Sequence, residues 1–403
     1  MILMKNINLN YLAGGPIEKV VPLEPYSEIV CDFFAELSKR IQKDAVARSF
    51  PDVISFAFFC RKANLQKLKE EYLDNKKRIG RGLAFHIAPS NVPVNALFTY
   101  VFGMLSGNAN IVRVSTKDFP QIRAVCNIMQ KMFEEEKYFV IRDMTAIVLY
   151  DRNQDINDKL SAMADARIIW GGDNTINELR KSPIGSRCIE MTFADRFSFA
   201  IMDPYVFNKI SEDELLKVAE AFYNDTYLMD QNACSTPHLI IWKKDINVDE
   251  QQAQMGKKRF WNAVYKAAEK YDLADIKVSD KYVMLCHHAV DLDNIIGIEK
   301  YSNLLYIVSI SSLPDKITDL RGKFGLFFQC DTDSLSILSD KITNKVQTCV
   351  YYGIEPQTIS EFIYNNNIMG IDRIVPVGAS LDIGVIWDGY DIIKMLSRIV
   401  SLK

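Results

Sequence analysis

The stretch LAFHIAPSNVPVNALFTYVFGML, residues 83–105, decides the fold that we predict for the chain. It begins with a largely apolar run at 83–88, turns at 89–93 between two prolines, and continues as a long apolar run to Leu105. A short strand followed directly by a helix is the repeating unit of parallel α/β sheets. The stretch therefore predicts one strand–turn–helix unit.

The same alternation of short apolar runs with longer helical runs continues downstream. The next predicted elements are strands at 110–114, 145–150 and 166–170, helices over 121–135 and 154–164, and a further helix that begins at 171–175. Four strand–helix units in succession are typical of a doubly wound sheet. We therefore predict an α/β domain with a mostly parallel sheet.

A second α/β domain is predicted in the second half of the chain. After a further strand predicted at 188–191, the strands of this domain are predicted at 197–202, 238–242, 281–286, 304–310, 325–329 and 346–351, and its helices at 212–228, 252–271 and 334–342. Ser211 precedes the first of these helices and belongs to a residue type that favours the N-cap position. Helical runs at 26–41 and 65–78 precede both domains and carry no motif with evident chemistry.

Composition limits the classes of function. The chain has 403 residues, of which 48% are hydrophobic and 25% charged, and its net charge is −3. Mixed charges of this kind do not form the basic surface of a nucleic-acid-binding protein, so we expect a small-molecule ligand. No apolar run approaches the roughly 20 residues of a membrane span. Residues 1–6 lack the pattern of a secretory signal, which predicts an unprocessed cytoplasmic protein.

Cysteine usage predicts reduced thiols. The eight cysteines are scattered without a CxxC pair, and the four histidines do not cluster with them, so no metal site is predicted. Cys286, His287 and His288 are adjacent, but neighbours on a predicted strand point to opposite faces. We expect a structural role for these three residues.

One cysteine lies in a position that suits a nucleophile. Cys234 lies in LMDQNACSTP, residues 228–237, between the predicted helix 212–228 and the predicted strand 238–242. A thiol at such a junction is backed by main-chain amides and can be reached by a substrate. Taken alone, the same cysteine also fits the ordinary role of a small buried apolar residue.

Three turns follow predicted strands at the edge where such sheets bind ligands: 89–93, 113–120 and 171–175. Gly171 and Gly172 would allow a ligand close to the main chain, although any tight strand-to-helix turn could use them. Each turn also has an ordinary structural alternative, since Asn91 could cap a helix and Arg113 could be a solvated charge.

These turns resemble those of the aldehyde dehydrogenase superfamily, and more closely its LuxC-type branch, the acyl-CoA reductases of bacterial fatty acid reductase systems. The resemblance runs from about Gly80 to the C-terminus. The turn 89–93 is similar to the superfamily's Pro-x-Asn-x-Pro turn. This likeness implies that Asn91 donates to a developing oxyanion and that Pro89 and Ser90 contact the cofactor.

Two glycine-containing segments carry the resemblance further. GNANIVR at 107–113 is similar to the superfamily's Gly-Asn-(x)-Val-Val-x-Lys strand, with Arg113 where a cofactor-binding lysine usually stands. Gly171 and Gly172 are similar to its Gly-Ser turn beside the nicotinamide and the pyrophosphate. The resemblance implies that these three residues contact the cofactor.

The reactive thiol and the C-terminal region complete the likeness. NAC at 232–234 is similar to the superfamily's Gln-x-Cys, which implies that Cys234 is the nucleophile. DRIVPVG at 372–378 and WDGY at 387–390 are similar to the tail of the LuxC-type branch.

Two departures from the superfamily bear on the chemistry. EMTF at 190–193 stands where aldehyde dehydrogenases have Glu-Leu-Gly-Gly. Glu190 keeps the carboxylate that serves them as the base for thioester hydrolysis but loses the glycines. We expect Glu190 either to relay a proton or to be a paired carboxylate, with hydrolysis disfavoured.

The second departure concerns the cofactor. RVST at 113–116 stands where the superfamily has Lys-x-x-Glu, whose glutamate holds the adenosine ribose. Thr116 is neutral, with Arg113, Ser115 and Lys117 nearby, so nothing in this motif repels a 2′-phosphate. We expect these four residues to bind the cofactor and to favour NADPH over NADH.

The resemblance implies NADPH-dependent reduction of a fatty acyl-CoA, or of another acyl thioester, to the aldehyde through an acyl group on Cys234. Two alternatives stay open. One is a dehydrogenase of the same fold that acts on an acyl phosphate, a protein-bound acyl group or an aldehyde. The other is an inactive nucleotide-binding partner of an acyl-protein synthetase. The resemblance also implies a homo-oligomer and a synthetase of that kind as a partner.

The predicted fold class is aldehyde dehydrogenase-like, with two doubly wound α/β domains and the active site in the crevice between them. We predict an N-terminal helical and irregular segment at 1–79 that packs on an NADP-binding Rossmann-like domain at 80–195. A catalytic α/β domain at 196–370 carries Cys234, and a C-terminal segment at 371–403 follows.

Overall fold

The computed structural model of the chain describes residues 7, 9–72, 74, 76–117, 119–244 and 249–402. The predicted unprocessed start at residues 1–6, and Asp118 of the predicted loop 113–120, lie outside these ranges. The chain divides into two compact units. Unit 1 comprises Met1–Ala194 and Tyr390–Lys403, and unit 2 comprises Asp195–Gly389.

The secondary structure alternates strands and helices along most of the chain. The strands are β1 (Asn10–Gly14), β2 (Arg78–Gly80), β3 (Leu83–Ile87), β4 (Ala109–Arg113), β5 (Thr145–Leu149), β6 (Ala166–Trp170), β7 (Ile189–Phe193), β8 (Phe197–Met202), β9 (Pro237–Lys243), β10 (Ile295–Tyr301), β11 (Leu305–Ile310), β12 (Leu326–Thr332), β13 (Val346–Tyr352), β14 (Arg373–Pro376), β15 (Ile386–Trp387), β16 (Tyr390–Asp391) and β17 (Ser397–Ile399). The helices are α1 (Glu28–Lys43), α2 (Pro51–Phe59), α3 (Lys62–Tyr72), α4 (Asn95–Leu105), α5 (Pro120–Met132), α6 (Phe139–Asp143), α7 (Gln154–Met163), α8 (Asp173–Leu179), α9 (Val206–Lys209), α10 (Glu212–Thr226), α11 (Glu250–Ala268), α12 (Asp275–Asp291), α13 (Pro356–Asn365) and α14 (Ile392–Leu396).

The sheet of unit 1 has the strand order β1-β5-β4-β3-β6-β7. Its five strands from β5 to β7 pair in parallel, and β1 pairs antiparallel with β5 at one edge. Every side chain of β3 and of β6 is buried. Strands buried on both faces are what a parallel sheet covered by helices requires. The prediction of a doubly wound sheet starting at β3 is confirmed.

The sheet of unit 2 has the strand order β10-β11-β12-β9-β8-β13-β14, parallel except for β10. Alternate side chains of β8 enter different apolar clusters: Phe197, Phe199 and Ile201 lie in one cluster, and Ala200 and Met202 in the other. Both faces of this sheet are therefore covered, and the prediction of a second α/β unit is confirmed.

Two predicted elements of unit 2 are wrong. The segment 281–286, predicted as a strand, lies inside helix α12, which buries Lys281 and Leu285 one turn apart. The residues from Cys286 to His288 are therefore on a helix. The predicted helix 334–342 is a single 3-10 turn at Leu335–Leu338, which the Ser334 hydroxyl caps by accepting from the Ser336 N–H.

Two edge strands have no counterpart in the sequence-based prediction. Both β1 and β10 run antiparallel at sheet edges, and β10 leaves most of its side chains exposed or partly exposed. An exposed edge strand lacks the continuous apolar run by which the central strands are recognised.

A buried carboxylate joins three segments of unit 2. Asp225, in α10, accepts hydrogen bonds from the N–H groups of Gly378 (2.6 Å) and Ser380 (2.9 Å). Its own carbonyl accepts from the Thr236 hydroxyl at 2.9 Å. Burial raises the pKa of Asp225 to about 6, against the lowering effect of the two N–H donors.

This shift predicts a pH-dependent stability that Asp225→Asn removes. The folded carboxyl binds its proton more tightly than the unfolded one, so the free energy of unfolding falls as pH rises from 3.8 to about 6. We expect the stability of the wild-type protein, relative to the variant, to fall by about 1 kcal/mol between pH 5 and pH 7 in urea denaturation. Parallel pH profiles of the two proteins would contradict the assignment.

Candidate functional site

The strand order of the unit 1 sheet indicates where a ligand would bind. The chain runs from β3 outward to β4 and β5, then returns to the other side of β3 and continues through β6 and β7. Open α/β sheets bind ligands beyond the carboxyl ends of the strands at such a reversal. The carboxyl ends of β3 and β6 flank the reversal here, and they carry the turn 89–93 and the pair Gly171-Gly172.

The turn after β3 presents polar side chains at this edge. Pro89 is half-buried, and Ser90 and Asn91 are exposed. The N-cap position of α4 is Val94, and no side chain caps this helix. The alternative role of Asn91 as the cap of α4 is therefore wrong, since the helix begins beyond its reach.

The two glycines after β6 differ in what surrounds them. A Cβ at Gly171 would come within 3.2 Å of the Thr175 side chain, so packing on α8 favours glycine there. A Cβ at Gly172 would meet no atom within 4 Å. The main chain at Gly172 therefore faces open space at the carboxyl end of β6.

Arg113, at the end of β4, is only partly exposed. Its guanidinium lies over the Tyr150 ring, 4.9 Å from the ring centroid. Its Nε is buried and has no hydrogen-bond partner among the described residues. A buried donor without a partner is costly, and a bound acceptor would satisfy it.

The loop after Arg113 forms a small pocket with hydroxyl and cationic groups. The pocket is lined by Leu12, Val114, Ser115, Thr116, Lys117, Phe119, Ile122, Arg123 and Leu149. The main-chain N–H of Lys117 donates to the Ser115 hydroxyl at 3.2 Å, which folds the loop back on itself. Lys117 and Arg123 contribute two positive charges, and no carboxylate lines the pocket among the described residues. These groups fit a phosphate-bearing cofactor.

Glu190, on β7, is held by two arginines. The buried Arg167 guanidinium donates to its Oε2 through Nε at 2.8 Å and also through Nη2, and Arg180 donates to its Oε1 at 2.7 Å. Burial alone would raise the pKa of Glu190, but the hydrogen bonds from Arg180 and Arg167 outweigh it and lower the pKa. Glu190 is therefore an ionised, paired carboxylate.

In unit 2 the main chain before Cys234 is fixed by side chains. Asp230 and Gln231 both adopt left-handed backbone conformations, with φ of 54° and 59°. The Gln231 amide oxygen accepts from the Gly325 N–H at 2.6 Å, and its nitrogen donates to the Leu326 carbonyl at 3.1 Å. Two adjacent non-glycine residues in this region are strained and persist only where such contacts hold them.

Parallel register brings other residues to Cys234. The strands β9, β8, β13 and β14 are adjacent and parallel, so their amino ends lie at one edge of the sheet. Cys234 comes shortly before β9, and Arg196 directly before β8. The Ser198 hydroxyl donates to the Cys234 carbonyl at 2.7 Å and accepts from the Thr348 N–H at 3.1 Å. The thiol thus lies at the amino-terminal edge of its sheet.

Charged groups act on the thiol of Cys234, a partly exposed residue. Burial raises the pKa of the thiol, and the negative charges of Asp195 and Asp388 act in the same direction. The main-chain N–H of Arg196, which hydrogen-bonds to the sulfur, and the Arg321 guanidinium lower the pKa without cancelling the rise. The sequence-based prediction missed Arg196, Asp195 and Arg321, because only strand pairing brings them to the thiol.

His238 is the nearest histidine in sequence, but it is not a base for Cys234. Its ring is buried, its Nδ1 accepts from the Gly322 N–H at 3.2 Å, and burial lowers its pKa to about 3. His288, on α12, is hydrogen-bonded through Nε2 to the Arg321 carbonyl at 2.8 Å. Within the described ranges, no three His, Cys, Asp or Glu side chains are grouped so as to hold a metal ion.

Comparison with known families gives a match over nearly the whole chain. The family model described as acyl-CoA reductase (LuxC) matches residues 13–399. A long-chain acyl-protein thioester reductase from Vibrio harveyi is 24% identical over 168 residues, which are 41% of this chain and 33% of that protein. The chain thus matches about a third of this relative's length. None of the described helices has the length and apolar character needed to cross a membrane.

Solved structures show the fold. Aldehyde dehydrogenase 21 from Physcomitrella patens superposes with a TM-score of 0.60 at 10% identity, covering 93% of this chain and 84% of that one. A benzaldehyde dehydrogenase from Corynebacterium glutamicum superposes with a TM-score of 0.57 at 11% identity, with the same coverages. The predicted aldehyde dehydrogenase-like fold is confirmed.

The pairing of Glu190 predicts a large stability loss in Glu190→Gln. Removing this charge leaves Arg167, whose side chain is 2% exposed, without its partner. Breaking a buried pair costs about 3 kcal/mol or more. Glu178→Gln is the matched control, because its ion pair with Lys181 is exposed and is worth at most about 1 kcal/mol. Equal urea-denaturation midpoints for the two variants would contradict the structural role of Glu190.

Proposed function

Because the chain belongs to the acyl-CoA reductase (LuxC) family, whose members are oxidoreductases, we propose that it reduces a fatty acyl thioester to the aldehyde. The observation that carries the proposal is the setting of Cys234. Cys234 is a partly exposed residue, its sulfur accepts a main-chain N–H from Arg196, and it follows a strained segment that side chains hold in place. The acyl donor is a CoA thioester or a protein-bound thioester, the second being the substrate class in the relative's name.

The first step transfers the acyl group to Cys234. The thiolate attacks the thioester carbonyl, the carbon–sulfur bond to the donor breaks, and the donor thiol departs. We propose that the Asn91 amide and the main-chain N–H of Cys234 donate to the oxyanion, as the family resemblance implies. Loss of one such donor costs on the order of 3 kcal/mol in the barrier.

The second step converts the acyl group to the aldehyde. A bound reduced nicotinamide supplies the hydride for this conversion. Cys234 holds the acyl carbon throughout, and the same donors stabilise the second oxyanion. The bond from carbon to the Cys234 sulfur then breaks, which releases the aldehyde and restores the thiolate.

Discharge by water is disfavoured in this proposal. A hydrolytic base must accept a proton from water, and the ionised Glu190 carboxylate already accepts hydrogen bonds from Arg167 and Arg180 on both oxygens. Its pKa is lowered by these donors, which makes it a weaker base. Glu190 is therefore proposed as a paired carboxylate that supports β7.

The cofactor is proposed to be NADPH, held by the residues at the carboxyl edge of unit 1. Arg113 offers its unsatisfied Nε, and Ser115, Thr116 and Lys117 line a pocket that suits the 2′-phosphate. A second group comprises Pro89, Ser90, Gly171 and Gly172, proposed for the nicotinamide and pyrophosphate end. NADH, which lacks the 2′-phosphate, would leave the cations of the pocket without that group to pair with.

The partner proteins that we propose are inferred from the family resemblance, because the structure describes this chain alone. We propose an acyl-protein synthetase as the source of a protein-bound acyl group, and a homo-oligomeric enzyme. An inactive nucleotide-binding partner of such a synthetase would retain the pocket but would not need the constrained setting of Cys234.

The proposed acyl group on Cys234 can be tested by labelling. The protein is incubated with radiolabelled acyl-CoA of several chain lengths, and the covalent adduct is then exposed to NADPH. We expect an adduct on Cys234 that NADPH discharges as labelled aldehyde, and no adduct in Cys234→Ala. Cys286→Ala, which removes an exposed thiol elsewhere in unit 2, is the matched control and should label normally. The proposal would be wrong if no acyl-CoA of any chain length, and no protein-bound acyl donor, formed an adduct.

Cofactor preference is tested by Thr116→Glu. The added carboxylate repels the 2′-phosphate and can accept from a ribose hydroxyl, so we expect KM for NADPH to rise about tenfold relative to that for NADH. Thr116→Ser keeps the hydroxyl and serves as the control. Wild-type protein that already prefers NADH would overturn the cofactor assignment.

A further inference from the structure

The WDGY motif at 387–390 places a carboxyl group in an unusual backbone setting. Asp388 has a φ of 50°, in the left-handed region that non-glycine residues seldom occupy. Its side chain is 4% exposed. The next residue, Gly389, has a φ of 75°, and a Cβ there would come within 3.0 Å of an Asp372 carboxylate oxygen. The turn after β15 is therefore built to hold the Asp388 carboxyl inside unit 2.

Two side chains hold the Asp388 carboxyl through one oxygen. The Gln347 amide donates to Oδ1, and the Arg196 guanidinium lies 3.6 Å from the same atom. Within the described part of the chain, hydrogen bonds reach this carboxyl through Oδ1 alone, so Oδ2 keeps its capacity to accept. Arg196 also pairs with Asp372 at 2.5 Å and donates to the Val346 carbonyl at 2.7 Å.

Arg196 connects this carboxyl to the thiol. Its main-chain N–H hydrogen-bonds to the Cys234 sulfur, while its side chain pairs with Asp388. The Asp388 carboxyl and the Cys234 thiol therefore flank the same residue, and the charge of Asp388 acts on the thiol. A buried acid and the proposed nucleophile are thus linked through Arg196, which interacts with both.

The proposed reaction needs such a group. The S–H bond of Cys234 must break before attack, and the donor thiolate that leaves must gain a proton. A carboxylate that accepts the first proton and then gives it to the leaving thiolate balances both steps and ends unchanged. His238 is buried with Nδ1 occupied, and Glu190 is held by two arginines, so neither is suited to this task.

We propose that Asp388 is the catalytic residue that takes the proton from Cys234, directly or across one water, and returns it to the leaving thiolate. The inference rests on the proposed thioester reductase function. Arg196 and Gln347 are positioning residues in this scheme, because they act through Asp388.

The charges around both groups agree with this role. Burial raises the pKa of Asp388, with Asp372 adding to the rise, while Gln347, Arg196 and Arg373 lower it. A carboxyl whose pKa is raised is a stronger base than an ordinary aspartate, which favours its acceptance of a proton. The other charged groups that face the thiol are Asp195 and Arg321, which pair with each other at 3.0 Å.

The test compares Asp388→Asn with Asp195→Asn. Each removes one negative charge that raises the pKa of the Cys234 thiol, so both variants should shift the pH profile of Cys234 alkylation by iodoacetamide to lower pH. Peptide-level mass spectrometry isolates Cys234 from the other cysteines. Asp195 has a side chain that is 55% exposed and no proposed role, which makes it the matched control.

Acylation by acyl-CoA should separate the two variants. We expect Asp388→Asn to form the acyl adduct about 100-fold more slowly than the wild type, although its thiol is alkylated faster at neutral pH. Asp195→Asn should acylate at least as fast as the wild type. Asp388→Glu, which keeps a carboxyl group, should acylate faster than Asp388→Asn.

Three results would overturn the inference. Equal acylation rates in Asp388→Asn and Asp195→Asn would show that no proton passes through Asp388. A parallel loss of alkylation and acylation in Asp388→Asn would make the residue structural, as would equal acylation by the Asn and Glu variants. Failure of the proposed function is distinguishable, because the wild-type protein would then form no adduct at all.

Discussion

Parallel pairing of β9, β8, β13 and β14 is the constraint on which the setting of the Cys234 thiol depends. Because these strands run in the same direction, their amino ends and the residues just before them lie at one edge of the sheet. That edge collects Cys234, Arg196, Gln347 and Asp372 from four separate parts of unit 2. A shift of one residue in strand pairing would turn Gln347, which lies within β13, to the opposite face of the sheet.

Parallel pairing also shapes the sheet of unit 1, but there the carboxyl ends of the strands are the ones that matter. There the carboxyl ends of β4, β3 and β6 lie side by side and bring together three turns that are far apart in sequence. Main-chain glycine, hydroxyl groups and cations are concentrated at those turns. The two units thus use opposite ends of their strands: unit 1 offers groups suited to a phosphate-bearing cofactor, and unit 2 offers a thiol.

Together, the groups around Cys234 do not lower the pKa of its thiol, as they would for a cysteine that is a thiolate before substrate binds. Burial and two nearby carboxylates raise the pKa of Cys234, and the cations and N–H donor around it do not compensate. A raised pKa protects the thiol from adventitious alkylation and oxidation, since the thiolate is the reactive form. In the mechanism proposed for Cys234, proton removal must therefore accompany the attack on the substrate, and this is the step proposed for Asp388.

The sequence by itself determined the central strands, the helices between them and the positions of the turns that follow β3, β4 and β6. Apolar runs such as 83–88 and 197–202 fit strands buried on both faces of a parallel sheet, and the helical runs that alternate with them favoured that assignment. Periodicity failed for two other elements: Gly297, Glu299 and Lys300 interrupt the apolar residues of β10, and the short apolar run 281–286 fits a strand and a helix equally well. Only the tertiary structure decided which charges face Cys234 and that Glu190 is paired with arginines, because those contacts join residues far apart in the chain through strand register.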